Sequence, residues 1–236
     1  MLFILRQLRR LELRKRSGQY FLYAFGEIVL IVVGILIALQ IQNWNQGKLD
    51  RVEQRYLLEE LVDNLNQEAE RLEFGIEMQS QQVEGFKSIR SYLESKLVTS
   101  EEFEEDMFLF LRYFNFNPIK SAYETMKNSG LGFSNRELKK MMVQYYDVRQ
   151  PLLLGNLDSQ REFGRTFGAS FMMKYFIDSG ENRSPKNVDD PEFKKAALST
   201  TGTKYRRTIV SLQRSEEIYK MNREVLAFVE QELEGM

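Results

Sequence analysis

The segment YFLYAFGEIVLIVVGILIALQI, Tyr20 to Ile41, constrains this chain more than any other. Its 22 residues carry one charged side chain, Glu27. As a helix rising ~1.5 Å per residue it is about 33 Å long, enough to cross a hydrocarbon core of roughly 30 Å. Buried helices of soluble domains rarely run this long at this aliphatic density. Tyr20 and Tyr23 stand at one end and Trp44, the only tryptophan, just past the other. Such rings anchor a span at headgroup level. The apolar run is too long for a cleaved signal peptide, and no small-x-small site follows it, so residues 20–42 are expected to be an uncleaved transmembrane helix.

The flanks set an expected orientation. Arg6, Arg9, Arg10, Arg14, Lys15 and Arg16 precede the span, against Glu12 alone. After it come Lys48, Arg51 and Arg55, mixed with Asp50 and Glu53. The more basic side stays in the cytoplasm, which puts the C-terminal domain outside, in the periplasm of a Gram-negative inner membrane. Residues 1–19 read as a basic amphipathic arm, with Leu2, Leu5, Leu8 and Leu11 on one face, suited to the inner leaflet.

Inside the span, Gly26, Leu30, Gly34 and Ala38 recur every four residues. Gly34-x-x-x-Ala38 is a small-xxx-small pair that lets a second helix approach closely. Glu27 lies seven residues past Tyr20, in the cytoplasmic third of the span rather than its centre. Three roles fit it: a polar contact in a membrane-helix assembly, a carboxylate snorkelling to headgroup water, or a proton-coupled group. Gly26, Glu27, Gly34 and Ala38 are therefore the assembly candidates.

The chain has neither cysteine nor histidine. That removes disulfides, thiolate nucleophiles, the usual zinc sites and triads built on a histidine base. No EF-hand loop, Gly-rich phosphate loop or HExxH motif is present. No catalytic residue, metal ligand or cofactor site is expected, and the chain does not read as an enzyme. From Gln42 onward there are 27 Lys and Arg against 32 Asp and Glu, a charge balance that argues against nucleic-acid binding.

Residues 43–236 read as a helical domain. Leu58, Val62, Leu65, Ala69, Leu72, Ile76, Gln79, Val83, Phe86, Arg90, Leu93 and Leu97 alternate steps of four and three, a heptad seam on a helix spanning 48–97. Thr99 with Glu102, and Ser134 with Glu137, form capping boxes. The aromatic run Phe108, Phe110, Tyr113, Phe114 and Phe116 is expected to fill the core, its segment ending at Asn117-Pro118. Ser121–Ser129 is a short helix closed by "NSGLG". The next helix is expected to stop before Pro151, and 151–177 to be helical again. Asp190 caps Pro191. A last helix, about 205–233, should bury Ile209, Leu212, Tyr219, Leu226, Val229 and Leu233. The acidic run Glu101–Asp106 fits a helix N-terminus. No convincing β alternation occurs. The fold class is all-α, one N-terminal transmembrane helix followed by an extramembrane bundle with a long heptad-patterned first helix.

The run "FLYAFGEIVLIVVGILIALQIQNWN", with its basic leader, and the later "SAYETMKNSG" (Ser121–Gly130) resemble a family of uncharacterised single-pass inner-membrane proteins of Bacteroidota. Many members of that family read Asn-Asn-Trp-Asn-Glu at the exit, where this chain has Gln42 and Gln46. The resemblance implies an inner-membrane protein with a helical domain and no known activity. Within "SAYETMKNSG", Tyr123 and Glu124 suit helix packing or a ligand contact. The expected role is a membrane-anchored interaction or scaffold protein of the cell envelope. The alternative is a sensor-like or transport-accessory subunit coupling a periplasmic event to the membrane. Expected partners are membrane lipids, a second copy through the membrane helix and the heptad helix, and an envelope protein of unknown identity.

Overall fold

The computed structural model describes residues 2–95, 100–129, 133, 135–178 and 183–236. The chain divides into two units, Met1–Gln54 and Arg55–Met236. Helix α1 runs unbroken from Leu2 to Ser95, so arm, apolar run and heptad helix are one element. Among the described residues it is the one helix long and apolar enough to cross a membrane. Its apolar side chains from Phe25 to Ile41 stand exposed in the single chain, as does Trp44.

In the second unit, α1 is followed by α2 (Ser100–Leu109), an irregular segment from Arg112 to Lys120, and α3 (Ser121–Asn128). Then come α4 (Arg136–Val143), a π turn (Gln144–Arg149), α5 (Gln150–Phe163), a second π turn (Gly164–Gly168) and α6 (Ala169–Tyr175). A three-residue antiparallel pair, β1 (Phe176–Asp178) and β2 (Arg183–Pro185), precedes α7 (Pro191–Glu234).

Several boundaries differ from the sequence reading. α2 ends at Leu109, not at Asn117, because the phenylalanines after it enter the core from an irregular chain. Helix does not stop at Pro151. The backbone widens into the π turn just before it, and Gln150 N–H bonds Tyr145 O, five residues back. The next carbonyl, Tyr146 O, would need a donor from Pro151, which has no N–H. Lys120 Nζ supplies that bond instead, at 3.1 Å. α7 starts at Pro191, with Asp190 accepting from Glu192 N at 3.0 Å, so the helix predicted at 205 and the cap predicted at 190 belong to one element. α4 is capped by Asn135, whose side chain accepts from Glu137 N and Leu138 N. The expected caps at Thr99 and Ser134, the seam position Leu97 and the turn at 130–132 lie outside the described residues.

The core holds two apolar clusters. One gathers Leu58, Leu61, Leu65 and Leu72 of α1 with Phe114, Phe116, Tyr123, Tyr145 and Val225. The other gathers Phe86, Ile89 and Leu93 with Phe103, Phe110, Phe171 and Phe193. The aromatic run is core as expected, except Phe108, which is exposed, and Tyr113, which is half-buried. The α1 seam turns Leu58, Leu65, Ala69 and Leu72 inward as expected, but Val62 is only half-buried and Leu61 and Glu68 are buried beside it. Beyond Leu72, Gly75, Gln79, Gln82, Phe86, Ile89 and Leu93 point inward, while Ile76 and Val83 are half-buried and Arg90 is exposed and paired with Glu94. On α7, Leu226 and Val229 are buried as expected, but Ile209, Leu212, Tyr219 and Leu233 are only half-buried. The inward face carries Thr201, Lys204, Thr208, Ser211 and Ser215 instead.

Gly75 explains part of the register change. A Cβ there would collide with ring carbons of Phe114, which packs against the α1 backbone at this point. Gly75→Ala gains up to about 1 kcal/mol of helix propensity. Overpacking against a buried ring costs roughly 1–3 kcal/mol and should win. Urea unfolding of the full chain in detergent should show a net loss for Gly75→Ala and recovery when Phe114→Leu is added.

Candidate functional site

The most chemically loaded place in the bundle is the carboxylate of Glu68 on α1, which is fully buried. Three donors converge on it. Ile119 N–H donates to Oε1 at 2.5 Å, Tyr145 Oη to Oε2 at 2.6 Å, and Gln150 Nε2 to Oε2 at 3.0 Å. Asn222 on α7 donates to Tyr145 Oη at 2.9 Å and to Leu65 O at 3.0 Å. The site thus joins α1, the irregular segment, the first π turn, α5 and α7. Two carbonyl oxygens within it, Gln150 Oε1 and Asn222 Oδ1, are buried and accept nothing from the protein.

The neighbourhood extends toward solvent through tyrosines. Tyr146 Oη donates to Ile119 O at 3.3 Å, and its ring stacks on Tyr123 at 4.8 Å. Tyr123 Oη donates to Asp147 Oδ2 at 2.6 Å, beside Lys127 at 2.8 Å. Lys127 and Tyr123 hold the Asp147 carboxyl below its usual range. Burial acts the other way on Glu68. It pushes the carboxyl up to about 7, more than the three donors pull it back. Burial and the Glu68 charge raise Tyr145 well above its ordinary value.

A second polar layer separates the two apolar clusters. Gln79 Nε2 donates to Ser215 Oγ at 3.0 Å. The last carbonyls of α2 and of the turn after it have no partner within the helix, and those at Leu109, Phe110 and Arg112 take side-chain donors. Gln82 Nε2 serves Leu109 O at 3.1 Å and Arg112 O at 2.9 Å. Lys204 Nζ serves Phe110 O, and Arg112 O at 3.1 Å. Lys204 is fully buried beneath the rings of Phe110 and Tyr113, and burial pushes its pKa down to about 7.

The residues singled out from sequence lie elsewhere. Gly26, Glu27, Gly34 and Ala38 are exposed along α1, and a Cβ at Gly26 or Gly34 would meet nothing in the single chain. Tyr23 and Trp44 are exposed, and Lys48 Nζ sits 3.7 Å over the Trp44 ring. Tyr20 belongs to α1, but its side chain is outside the described residues. Tyr123 of the family-like element is a packing residue, and Glu124 is exposed. The same element's Ser121 accepts from Asn64 at 3.1 Å and donates to Glu60 at 2.8 Å. Sequence reasoning passed over Glu68 and Lys204. The available signal was position, since Glu68 follows Leu65 by three residues and precedes Leu72 by four. Among the described residues no group of three or more acidic side chains is arranged to hold a metal ion.

Residues 27–136 match a family of unknown function (DUF6090). The chain is similar to that family from the apolar part of α1 to the start of α4, a stretch that includes Glu68 and the Ser121–Gly130 element. Comparison with curated proteins and with solved structures gives no match.

Both buried groups tie stability to pH. The folded protein holds the Glu68 proton more tightly than the unfolded chain between pH 4.5 and about 7. Stability from this group therefore falls as pH rises through that window. Folded Lys204 binds its proton less tightly than the unfolded chain between about 7 and 10.5, so its contribution rises with pH there. Glu68→Gln should flatten the lower limb, by up to roughly 3 kcal/mol at ~1.4 kcal/mol per unit, and Lys204→Met the upper one. Urea titrations of the full chain in detergent across both windows check this. A lower limb that persists in Glu68→Gln contradicts the assignment.

Proposed function

We propose that this protein is a single-pass, membrane-anchored helical bundle that works by binding other proteins at the cell envelope. Its N-terminus lies in the cytoplasm and residues 43–236 in the periplasm, with membrane lipid around residues 20–42. The observation that carries the reading is α1 itself. One unbroken helix presents a fully exposed apolar run in its first half and supplies the inward-facing seam of the bundle in its second. The clefts of the bundle suit surface contacts more than small-molecule capture. One of about 470 Å³ runs over Phe86, Gly202 and Tyr205 and is open to solvent. Of the three cations that line it, Lys87, Arg90 and Arg206, the first two are paired along α1 with Glu84 and Glu94. No catalytic chemistry is assigned.

A second reading, a sensor-like or transport-accessory subunit, is favoured by one observation. The Glu68 carboxyl, held near pH 7, joins five segments and changes protonation in the range where an envelope compartment acidifies. If it acts so, cross-linking in native membranes should capture different partners at about pH 5.5 and about pH 8 in the wild type and the same ones in Glu68→Gln. A pH-independent partner set in the wild type argues for the plain scaffold.

Anchoring and orientation are tested together. The chain has no cysteine, so Asn187→Cys provides a single exposed thiol near α7. The protein should stay in the membrane pellet after an alkaline wash, and an impermeant thiol reagent should label intact spheroplasts. Labelling only after lysis reverses the orientation, and release by the wash removes the anchor.

A further inference from the structure

The exposed part of α1 carries its own heptad seam. Inside the apolar run it consists of Ile28, Ile31, Ile35 and Ala38. Past the run the same alternation of three and four continues through Gln42, Asn45, Leu49 and Val52. All eight side chains are exposed in the single chain. Lipid accounts for the first four but not for Leu49 and Val52, which lie beyond Trp44 and are 57% and 69% exposed. Within Met1–Gln54 no second helix is available to cover them.

Charge chooses the occupant. Lys48 flanks Leu49 on one side of the seam, and Glu53 flanks Val52 on the other. In a parallel, in-register helix pair, a residue flanking the seam on one chain meets the residue five positions later on its partner. Lys48 of each copy therefore meets Glu53 of the other, twice by symmetry. An antiparallel pair forfeits both contacts. Gln42 and Asn45 would each face their own counterpart, and carboxamides carry both donor and acceptor, so like can bond like and fix the register. A strict seven-residue repeat drifts by ~20° per heptad on a straight helix, which a left-handed supercoil absorbs. Glu27 and Gly34 immediately precede Ile28 and Ile35, and so flank the seam on the Lys48 side. The seam from Leu58 to Leu93 is occupied within the bundle and is not available for this contact.

We infer that the exposed stripe of α1 from Ile28 to Val52 binds a second copy of this chain as a parallel, in-register helix pair. The inference rests on the membrane-anchor reading, which makes both copies point the same way.

The test uses the full chain in native membranes. Leu49→Cys and Val52→Cys place single thiols on the seam, and Arg51→Cys places one beside it. All three positions are exposed, so the bundle is untouched. Mild oxidation should give disulfide-linked dimers several-fold more abundantly from the seam cysteines than from Arg51→Cys. Lys48→Glu in the Val52→Cys background should lower the yield, and adding Glu53→Lys should restore it. Equal yields at the three positions, adducts with a protein of another mass, or no rescue by the charge swap would each overturn the proposal. Release of the protein by alkaline wash overturns the membrane reading and this inference with it. Retention in the membrane without seam-specific dimers overturns the inference alone.

Discussion

The Glu68 carboxylate is the interaction on which the bundle's connectivity depends. Its donors come from positions 119, 145 and 150, and Asn222 joins through Tyr145. A buried ionisable group is a weak source of net stability, since well-packed apolar residues of the same volume often do as well. Here the alternative is closed. Removing the carboxylate alone would leave three buried donors without an acceptor, at roughly 1–3 kcal/mol each. The irregular Arg112–Lys120 segment depends on the same logic. It has no ladder partners, and side chains complete it: Arg71 for Asn117 O, Glu68 for Ile119 N–H and Tyr146 for Ile119 O.

The second polar layer solves a related problem. α2 ends partly shielded from solvent, with Phe110 buried, and its terminal carbonyls are served by side chains. Gln82 from α1 and Lys204 from α7 reach the same turn from two sides. Small hydroxyl residues on α7 leave room for this arrangement, and Thr208 and Ser211 keep buried oxygens that bond nothing in the protein. Phenylalanines then close the far cluster, with Phe193 packed against Phe103, Phe171 and Phe176.

These features mark the limits of what sequence alone discloses. The apolar run, the all-α class, the Asp190 cap and the short helix at Ser121 were legible because each is a local signal. Past Leu72 the seam positions Gln79, Phe86 and Leu93 were legible and are buried, but Gly75, Gln82 and Ile89 were not, because hydrophobic periodicity counts Ile76 and Val83 and cannot count Gly75, whose contribution is the absence of a side chain. On α7 only Leu226 and Val229 of the expected stripe are buried, because much of the inward face is polar. Thr201, Thr208, Ser211 and Ser215 are buried for size and hydrogen bonding rather than hydropathy. Pro151 looked like a helix end because its missing N–H is visible in sequence, whereas Lys120 serving Tyr146 O from another segment is not. Glu68 and Lys204 share this character, since a charged residue on an apolar face announces burial only when its partners are known.

Those two groups also constrain each other's meaning. Burial moves the carboxyl up and the ammonium down, and both arrive near 7. Oppositely charged neighbours in contact would instead hold each other ionised. Glu68 accepts from an amide N–H, a phenol and a carboxamide, while Lys204 donates to backbone carbonyls, so neither is in an ion pair. The core therefore has no salt bridge to break at these positions, and its response to pH comes from desolvation. Acidification neutralises Glu68, which relieves the cost of a buried charge, and favours the charged form of Lys204, which raises that cost. The two layers therefore respond to pH in opposite senses, Glu68 losing its contribution as pH rises toward about 7 and Lys204 gaining its own above that.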